Sequence, residues 1–397
     1  MVRFFLLIAL TFFFTTPAAA LVVDQDTVWD GQHSFSEDVQ VLAGATLTVL
    51  PGSQLHFSGA RLEVSGRLVA EGAEFSGENW EGLRLKGVDN TTRITDCVIK
   101  GAATGVFVLG GGPQLEGMIL SANKVGMEVR GKAAGKVTRC RFTGNLKVGL
   151  FIKDDSTTSV VDCRFEGNLR YGVYLYHARP QMFQGNQFVN NDTGLMIAYH
   201  GTDPEVLDNR FEENTIAVQV DRAARPVLRG NLLLGNQTGF YIYRRSDPLL
   251  TGNRIEENGV GLLIAYSSYP EVESNDFMSN EIAVKLEFQS SSWEAKRGAD
   301  ARAGETSARS AFAGQGMRSV SEEDRRAKRL DGMVNAGDNW WGREGTLELA
   351  SIGPDGNPSF IHDGRDQTTF VDEGEEYPLD KVAHSPWRKD PATEIER

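Results

Sequence analysis

The sequence predicts an all-β fold, a single-stranded parallel β-helix of about eleven coils with repeats of mostly 22–23 residues. Two observations predict it. A short phrase of Gly, an apolar residue, any residue and a second apolar residue recurs every 21 to 23 residues. A second phrase, built around Asn, precedes most copies of the first. A fixed period in this range is typical of a solenoid, in which each repeat buries its apolar face against its neighbours.

The Gly phrase marks one strand of each coil. Its copies begin at Gly82, Gly105, Gly126, Gly149, Gly172, Gly194, Ala217, Gly239, Gly261 and Ala283. Apolar and polar residues alternate in it with period two, which indicates a strand rather than a helix. We expect the two apolar residues to face inward and the residue between them to face solvent. We expect the Gly to form a sharp backbone turn at the entry to the strand.

The Asn phrase predicts two ladders of stacked side chains at the corners of the coil. They contain Asn186, Asn209, Asn231, Asn253 and Asn275 in one, and Asn145, Asn168, Asn191, Asn214, Asn236, Asn258 and Asn280 in the other. An Asn amide can bond both to turn backbone and to the next Asn, so we interpret these residues as structural. Cys140 and Cys163 occupy equivalent positions in two earlier coils. We expect packed free thiols there, although a disulfide between adjacent coils is also geometrically allowed.

The repeats divide the chain into six predicted segments. They are a signal peptide at 1–20, an N-terminal cap and first coils at 21–60, β-helix repeats at 61–288, a flexible charged insertion at 289–330, a final coil with the NWWG phrase at 331–345, and a C-terminal tail at 346–397. Arg3, the apolar run after it and the small residues ending at Ala20 are typical of a secretory signal peptide.

The insertion is predicted from the spacing of the Asn ladder. Asn339 follows Asn275 by 64 residues, and 64 minus one 22-residue coil leaves 42, the length of the segment 289–330. The segment is rich in Ala, Gly, Ser and charged residues, so we expect a flexible loop. Trp340 and Trp341 would then close the end of the core.

The repeat phrases resemble those of the right-handed parallel β-helix proteins of the pectate-lyase-like superfamily. Within it, the chain is most similar to secreted bacterial NosD-like β-helix proteins, over residues 39–288 and the NWWG phrase at 339–342. The resemblance implies a right-handed coil. It says little about activity, because the superfamily includes lyases, hydrolases, adhesins and scaffolds.

The outward positions of the Gly phrase are rich in aromatic residues over one part of the chain. They form a predicted aromatic strip of Phe107, Phe151, Tyr174, Tyr176, Met196, Tyr241 and Tyr243, with Tyr199 at the adjoining corner. Flat rings on a rigid surface suit the faces of an extended polysaccharide. The alternative is that the rings only stack on one another, or lie beneath the tail or the insertion. An anionic sugar could also contact the cations of the corner, His177, Arg179, His200, Arg222, Arg225, Arg244 and Arg245. The alternative is a solvated corner whose cations are neutralised by Asp203, Asp221 and Asp247.

We therefore predict ligand-binding residues on the strip and its corner, and weaker candidates for catalysis. The predicted ligand-binding residues are Phe107, Phe151, Tyr174, Tyr176, Tyr199, Tyr241, Tyr243, His177 and Arg244. The catalytic candidates are His200, Asp203 and Asp221, which together could serve as an acid–base group. No cofactor and no metal ion are expected, because the six His residues are not closely spaced.

These observations favour a secreted, non-catalytic binding module or scaffold. We expect a monomer in the periplasm or outside the cell, with a polysaccharide or a cell-envelope component as its partner. The net charge of −13 argues against nucleic acid, and no second apolar run is long enough to span a membrane. One alternative is a polysaccharide lyase or glycoside hydrolase. A further alternative, implied by the resemblance alone, is a periplasmic assembly factor.

Overall fold

Three long parallel sheets run along the axis of the coil in the computed structural model, which describes residues 20–313 and 330–392. Each coil contributes one strand to each sheet, and within the repeats each strand pairs with the strand three places later in the chain. Two of the sheets contain twelve strands each within the described residues, which corresponds to about twelve turns. The predicted parallel β-helix is therefore confirmed. The predicted signal peptide lies outside the described residues apart from Ala20.

The first sheet, sheet A, contains the Gly phrases. Its strands are Leu21–Val23, Val39–Val41, Arg61–Val64, Gly82–Lys86, Thr104–Leu109, Val125–Arg130, Val148–Lys153, Tyr171–Tyr176, Thr193–Ala198, Ile216–Asp221, Thr238–Tyr243, Val260–Ala265, Ile282–Glu287 and Ile361–His362. The last of these comes from the C-terminal tail, which thus extends sheet A beyond the repeats.

The other two sheets form the remaining walls of the coil. Sheet B contains Thr27–Trp29, Thr46–Val49, Arg67–Glu71, Arg93–Thr95, Gln114–Glu116, Lys136–Thr138, Ser159–Val161, Phe183–Gln184, Glu205–Leu207, Val227–Arg229, Leu249–Thr251 and Glu271–Glu273. Sheet C contains Gln32–Phe35, Gln54–Ser58, Glu74–Glu78, Val98–Lys100, Ile119–Ser121, Arg141–Thr143, Arg164–Glu166, Gln187–Val189, Arg210–Glu212, Leu232–Leu234, Arg254–Glu256 and Asp276–Met278.

The core fills the space between the three sheets with side chains stacked coil on coil. The second apolar residue of each Gly phrase lies in register with its counterpart in the next coil, and these side chains are buried: Leu85, Val108, Val129, Ile152 and Leu175. On the facing wall, the rings of Phe142, Phe165 and Phe188 stack with centroids 4.8 and 5.0 Å apart. The spacing matches the distance between paired strands, so each coil supports the next.

The Asn residues form the two predicted ladders. The Oδ1 atom of Asn191 accepts hydrogen bonds from the backbone N and the Nδ2 of Asn168, both at 3.0 Å. Asn191 in turn donates to Oδ1 of Asn214. The other ladder ends at Asn339, whose Oδ1 accepts from Asn275 at 2.9 Å as the spacing predicted. The cysteines at 97, 140 and 163 are buried free thiols, in agreement with the prediction for the last two.

The Gly residues have a different role from the one predicted. Gly82 has a left-handed φ of +105°, but the later copies of the phrase do not have positive φ, so the predicted sharp turn is wrong for them. Instead, a Cβ atom on Gly149 would lie 2.6 Å from the carbonyl oxygen of Gly172. The Gly therefore permits close approach of adjacent coils. The buried Ala217 and Ala283 replace it in two coils.

Part of the segment predicted as a flexible loop is helical. Ser291–Trp293, the π-helical turn Glu294–Gly298 and Ala299–Ala313 follow one another, and we call residues 291–313 the insertion helix. Its order has a long-range cause, because Arg302 contacts Asp247 in the coil at 3.2 Å. Residues 314–329 of the predicted insertion lie outside the described part of the chain.

The C-terminal residues pack on the end of the coil. Trp341 is buried and stacks on Phe277 at 4.8 Å, and the cap helix Gly342–Ile352 follows it. Met333–Asn335 pairs with Lys381–Ala383, and Thr369–Asp372 forms an antiparallel hairpin with Glu375–Pro378. Among the described residues, no helix is both long enough and apolar enough to span a membrane.

Candidate functional site

The outward side chains of sheet A form columns in register along the solenoid. The residue between the two apolar positions of each Gly phrase pairs with its counterpart in the next coil, in the order Arg84, Phe107, Glu128, Phe151, Tyr174, Met196, Gln219, Tyr241. The predicted alternation of inward and outward residues holds in strands such as Thr104–Leu109, Tyr171–Tyr176 and Thr238–Tyr243, but Thr193–Ala198 is buried throughout and Met196 of the predicted strip is only 7% exposed. The alternation places the predicted aromatic strip on one face of one sheet.

The strip is divided into clusters rather than continuous. The first cluster contains Phe151 and Tyr174, whose rings stack at 4.9 Å with an interplanar angle of 10°. Tyr171 lies 5.2 Å from Tyr174 and belongs to the same cluster. The sequence analysis did not include Tyr171 in the strip. Its position could have indicated it, because Tyr171 directly precedes Gly172, the first residue of the Gly phrase that contains Tyr174. Tyr176 joins the cluster at 6.1 Å from Tyr174.

Phe107 is separate from this cluster. Glu128 lies between Phe107 and Phe151 in the column. The guanidinium groups of Arg84 and Arg130 lie 4.7 and 5.6 Å from the Phe107 ring centroid. Cations also contact Phe151 and Tyr171 of the first cluster, at 5.0 and 4.9 Å, so what distinguishes Phe107 is that Glu128 separates it from the stacked rings.

A group of aromatic and imidazole rings lies at the corner that follows the first cluster. The ring of Tyr199 lies 4.2 Å from His177, 4.3 Å from His200 and 5.3 Å from Tyr176. The structure thus brings together four residues that the sequence suggested separately. Burial lowers the pKa of His177, and the nearby carboxylates of Asp154 and Asp155 act in the opposite direction.

The second cluster lies three coils further along and continues into the tail. Tyr241 and Tyr243 lie 5.2 Å apart, and Tyr243 contacts Tyr266 at 5.0 Å. Tyr266 stacks on Phe288, which contacts Phe370 of the tail hairpin. Burial raises the pKa of Tyr241 well above its ordinary value, so its phenol remains a hydrogen-bond donor at neutral pH.

Cations and the insertion helix enclose a groove beside the two clusters, which we call the corner groove. It has a volume of about 530 Å³ and is lined by Tyr199, His200, Arg222, Arg244, Arg245, Ala301, Gly304, Glu305 and Ala308. Arg244 binds the carboxylate of Asp221 through Nε at 2.7 Å and through a second bond from Nη2. This bond raises the pKa of Arg244.

Oppositely charged side chains alternate from coil to coil at one corner position, where Asp203, Arg225 and Asp247 are buried and Arg179 is partly exposed. Arg179 lies 3.4 Å from Asp203, and Arg225 lies 3.8 Å from Asp247. The backbone N of Arg225 also donates to Asp203 at 2.7 Å. Arg302 of the insertion helix adds a further cation against Asp247. The alternation of charge offsets the desolvation of each member and attaches the helix to the coil.

The three catalytic candidates have different surroundings. His200 lines the corner groove. The side chain of Asp203 is fully buried beside Arg179, and the carboxylate of Asp221 is 3% exposed and bound to Arg244. A carboxylate would have to leave its ion pair before it could accept a proton from a ligand. The arrangement is therefore better suited to holding a ligand than to acid–base chemistry.

Two families match parts of the chain. The family described as "Periplasmic copper-binding protein (NosD)" matches residues 149–304, and the family described as "Right handed beta helix region" matches residues 58–211. No curated protein matches the chain.

Several solved structures match part of the chain with low sequence identity. The periplasmic alginate epimerase AlgG is 17% identical, with a TM-score of 0.39, 61% of this chain covered and 64% of that chain covered. The Dettilon tailspike protein is 12% identical, with a TM-score of 0.42 and coverage of 65% and 57%. PfbA, a surface adhesin of Streptococcus pneumoniae, is 10% identical, with a TM-score of 0.37 and coverage of 64% and 83%.

The name of the first family raises the question of copper. Copper is held in proteins mainly by His, Cys and Met side chains. The rings of His177 and His200 lie 5.6 Å apart, which offers two imidazoles at the corner. Within residues 20–313 and 330–392, no group of three His, Cys, Asp or Glu side chains is placed to hold a metal ion. The described residues therefore do not fit a resident copper ion.

Proposed function

We propose that this chain, which is a right-handed parallel β-helix protein similar to NosD, binds an extended polysaccharide along the two aromatic clusters. We place this activity in the cell envelope, in the periplasm or outside the cell. The observation that carries the proposal is the stacked pair of Phe151 and Tyr174 on the outer face of sheet A, in line with Tyr241.

The spacing of the clusters favours a polymer over a small sugar. Tyr174 and Tyr241 belong to the same column and are three coils apart. At the usual distance between paired strands this is about 14 Å along the axis. An extended chain can contact both clusters, and the rigid sheet holds them at a fixed separation.

Tyr174 and Tyr241 are partly exposed on the outer face of sheet A, so part of each side chain can contact a ligand. In the described part of the chain, the ring contacts of Tyr174 and Tyr241 come from neighbours in sheet A itself. Burial raises the pKa of both phenols, which therefore stay protonated and can donate hydrogen bonds to sugar oxygens. The alternative that the rings only support one another predicts no change in binding when they are removed.

The test is polysaccharide binding by the double variant Tyr174→Ala/Tyr241→Ala. Polyuronate, dextran sulfate and unsubstituted dextran are used as ligands in affinity electrophoresis. We expect the variant to bind the preferred polymer at least about tenfold more weakly, because large rings carry most of the energy at such surfaces. Phe107→Ala is the matched control, since this ring lies apart from both clusters, and it should bind like the wild type.

Two results would contradict the proposal. One is that the wild-type protein binds none of the three polymers, and the other is that the double variant binds as well as Phe107→Ala. The same incubations report on the alternative of a lyase or hydrolase, for which the position of His200 in the groove is the supporting observation. Release of unsaturated uronates or new reducing ends would favour that alternative.

A further inference from the structure

The face of the insertion helix that borders the corner groove carries small residues. Ala301, Gly304 and Ala308 lie at helical spacing on this face and leave the groove open. Glu305 is the one long side chain that the helix adds to the groove lining in the described residues. A helix that only packed against the coil would be expected to fill this space with larger apolar side chains.

Glu305 binds Arg245 as a carboxylate ligand would. The Nε atom of Arg245 lies 3.0 Å from both carboxylate oxygens of Glu305, and Nη2 lies 2.9 Å from Oε1. The two side chains are 22% and 19% exposed. The planar fork of a guanidinium binds carboxylate, sulfate and phosphate oxygens in this way.

The groove also contains cationic surface that the protein leaves partly open. The side chains of Arg222 and Arg244 are 53% and 40% exposed, and Asp221 is the carboxylate in contact with both. This concentration of guanidinium groups contrasts with the net charge of −13 of the whole chain. A local cluster of cations on an acidic protein favours an anionic ligand at that place.

We infer that the corner groove binds the carboxylate or sulfate groups of an anionic polysaccharide, and that Glu305 holds the place of one such group until the ligand displaces it. The inference rests on the proposed function and adds the chemical class of the polymer to it. The groove adjoins Tyr199 and Tyr243, so a chain that crosses the aromatic clusters passes beside its cations.

Displacement of Glu305 does not require release of the helix. Arg302 remains bound to Glu294 at 2.6 Å and to Asp247 at 3.2 Å. At the other side of the helix, Trp293 donates to Asp372 of the tail hairpin at 2.8 Å. Removing the charge of Glu305 should therefore free Arg245 while the helix stays in place.

The experiment compares Glu305→Gln with Asp300→Asn in binding to polyuronate, dextran sulfate and dextran. Both variants remove one negative charge from the insertion helix, but Asp300 is exposed and does not line the groove. We expect Glu305→Gln to bind one or both anionic polymers about five- to tenfold more tightly than Asp300→Asn does, with a gain that falls as salt is raised. Arg245→Gln should bind them more weakly than the wild type.

The inference is overturned if Glu305→Gln binds no more tightly than Asp300→Asn, or if its gain extends equally to dextran. The two polyanions distinguish a carboxylate ligand from a sulfate ligand. If binding depends on Tyr174 and Tyr241 but not on Glu305, the proposed function stands and this inference fails. If Glu305→Gln binds a polyanion regardless of both tyrosines, the inference stands and the proposed function fails.

Discussion

The ten strands of sheet A from Gly82–Lys86 to Ile282–Glu287 are each followed by a corner that begins with a left-handed residue, but the side chains of these corners differ. The first corner residue has a positive φ in each of these coils, and in chain order it is Gly87, Gly110, Gly131, Asp154, His177, Tyr199, Arg222, Arg244, Tyr266 and Phe288. Glycine adopts this left-handed conformation readily, whereas a residue with a Cβ atom does so at a cost of roughly 1 kcal/mol or more. The early coils thus use the favourable residue, and the later coils do not.

The difference coincides with the part of the surface that carries the candidate site. The strained corners carry the rings and cations that line the corner groove and the aromatic clusters. Positive φ at non-Gly residues also occurs at other corners, such as those of Asp96 and Arg139, so the side chains rather than the backbone strain distinguish this region. In the early coils, the outer face of sheet A carries ion pairs in place of aromatic clusters, such as Lys86 with Glu63 at 2.7 Å. Exposed pairs of this kind contribute little to stability and form no platform.

The largest expected effect is on stability and concerns the core, where the early and the later coils should respond alike. Leu85 and Leu175 occupy the same inward position of the Gly phrase, in an early and a later coil, and both are fully buried. We expect Leu85→Ala and Leu175→Ala each to lower the free energy of unfolding by about 2–5 kcal/mol. Urea denaturation followed by far-UV circular dichroism measures this. A clear difference between the two variants would mean that the early and the later coils differ in their cores as well.

The fold could be predicted because the residues that form it repeat in every coil. The period of the inward apolar pairs and of the Asn residues is visible in the sequence. Counting residues was therefore enough to assign Asn339 to its ladder across the insertion. The role of the phrase Gly could not be read in this way. Both a close approach of adjacent coils and a left-handed turn favour Gly, so the sequence cannot show which of the two explains it.

The candidate site was predictable only where it follows the same period. The outward position of Tyr174 and Tyr241 is a consequence of alternation along a strand. Residues 291–313 are held by contacts distant in the sequence, such as that of Arg302 with Asp247, which lies 55 residues earlier in the chain. The composition of a polar segment does not indicate which distant residues it will contact. The corner groove, which needs that helix as one of its walls, therefore could not be predicted.

Exchanging corner residues between the early and the later coils should change the stability less than the core substitutions do. It tests directly whether the later corners are strained. We expect Gly110→Ala to destabilise the protein by about 1 kcal/mol, because its φ of +66° disfavours a Cβ atom. Arg222→Gly should stabilise it by up to about 1 kcal/mol for the opposite reason. Both changes are measured by thermal unfolding.

Arg222→Ala is the control for this exchange, because it removes the long side chain but keeps the unfavourable backbone. Its stability should lie close to that of the wild type. If Arg222→Ala is as stabilising as Arg222→Gly, the Arg side chain rather than the backbone is the source of the strain. The contrast between the early and later corners would then have another cause.

The smallest expected effect is a pH dependence that only the later corners can show. Burial lowers the pKa of His177, which faces Tyr176, Tyr199 and His200. The unfolded chain therefore binds a proton at this position more readily than the folded protein does. The stability that the neutral ring contributes is present above its unfolded pKa of about 6.5 and is lost as the pH falls through the lower folded value.

We expect this loss to be less than about 1 kcal/mol, because the ring is partly exposed. His177→Gln should remove it, so that the difference in unfolding free energy between wild type and variant changes between pH 7 and pH 5. His384 has a lowered pKa of the same sign and is common to both proteins, so it cancels in the comparison. The equivalent corners at Gly110 and Gly131 carry no side chain that can titrate. If the stability of the wild type and of His177→Gln depends on pH in the same way, protonation of His177 does not contribute to stability.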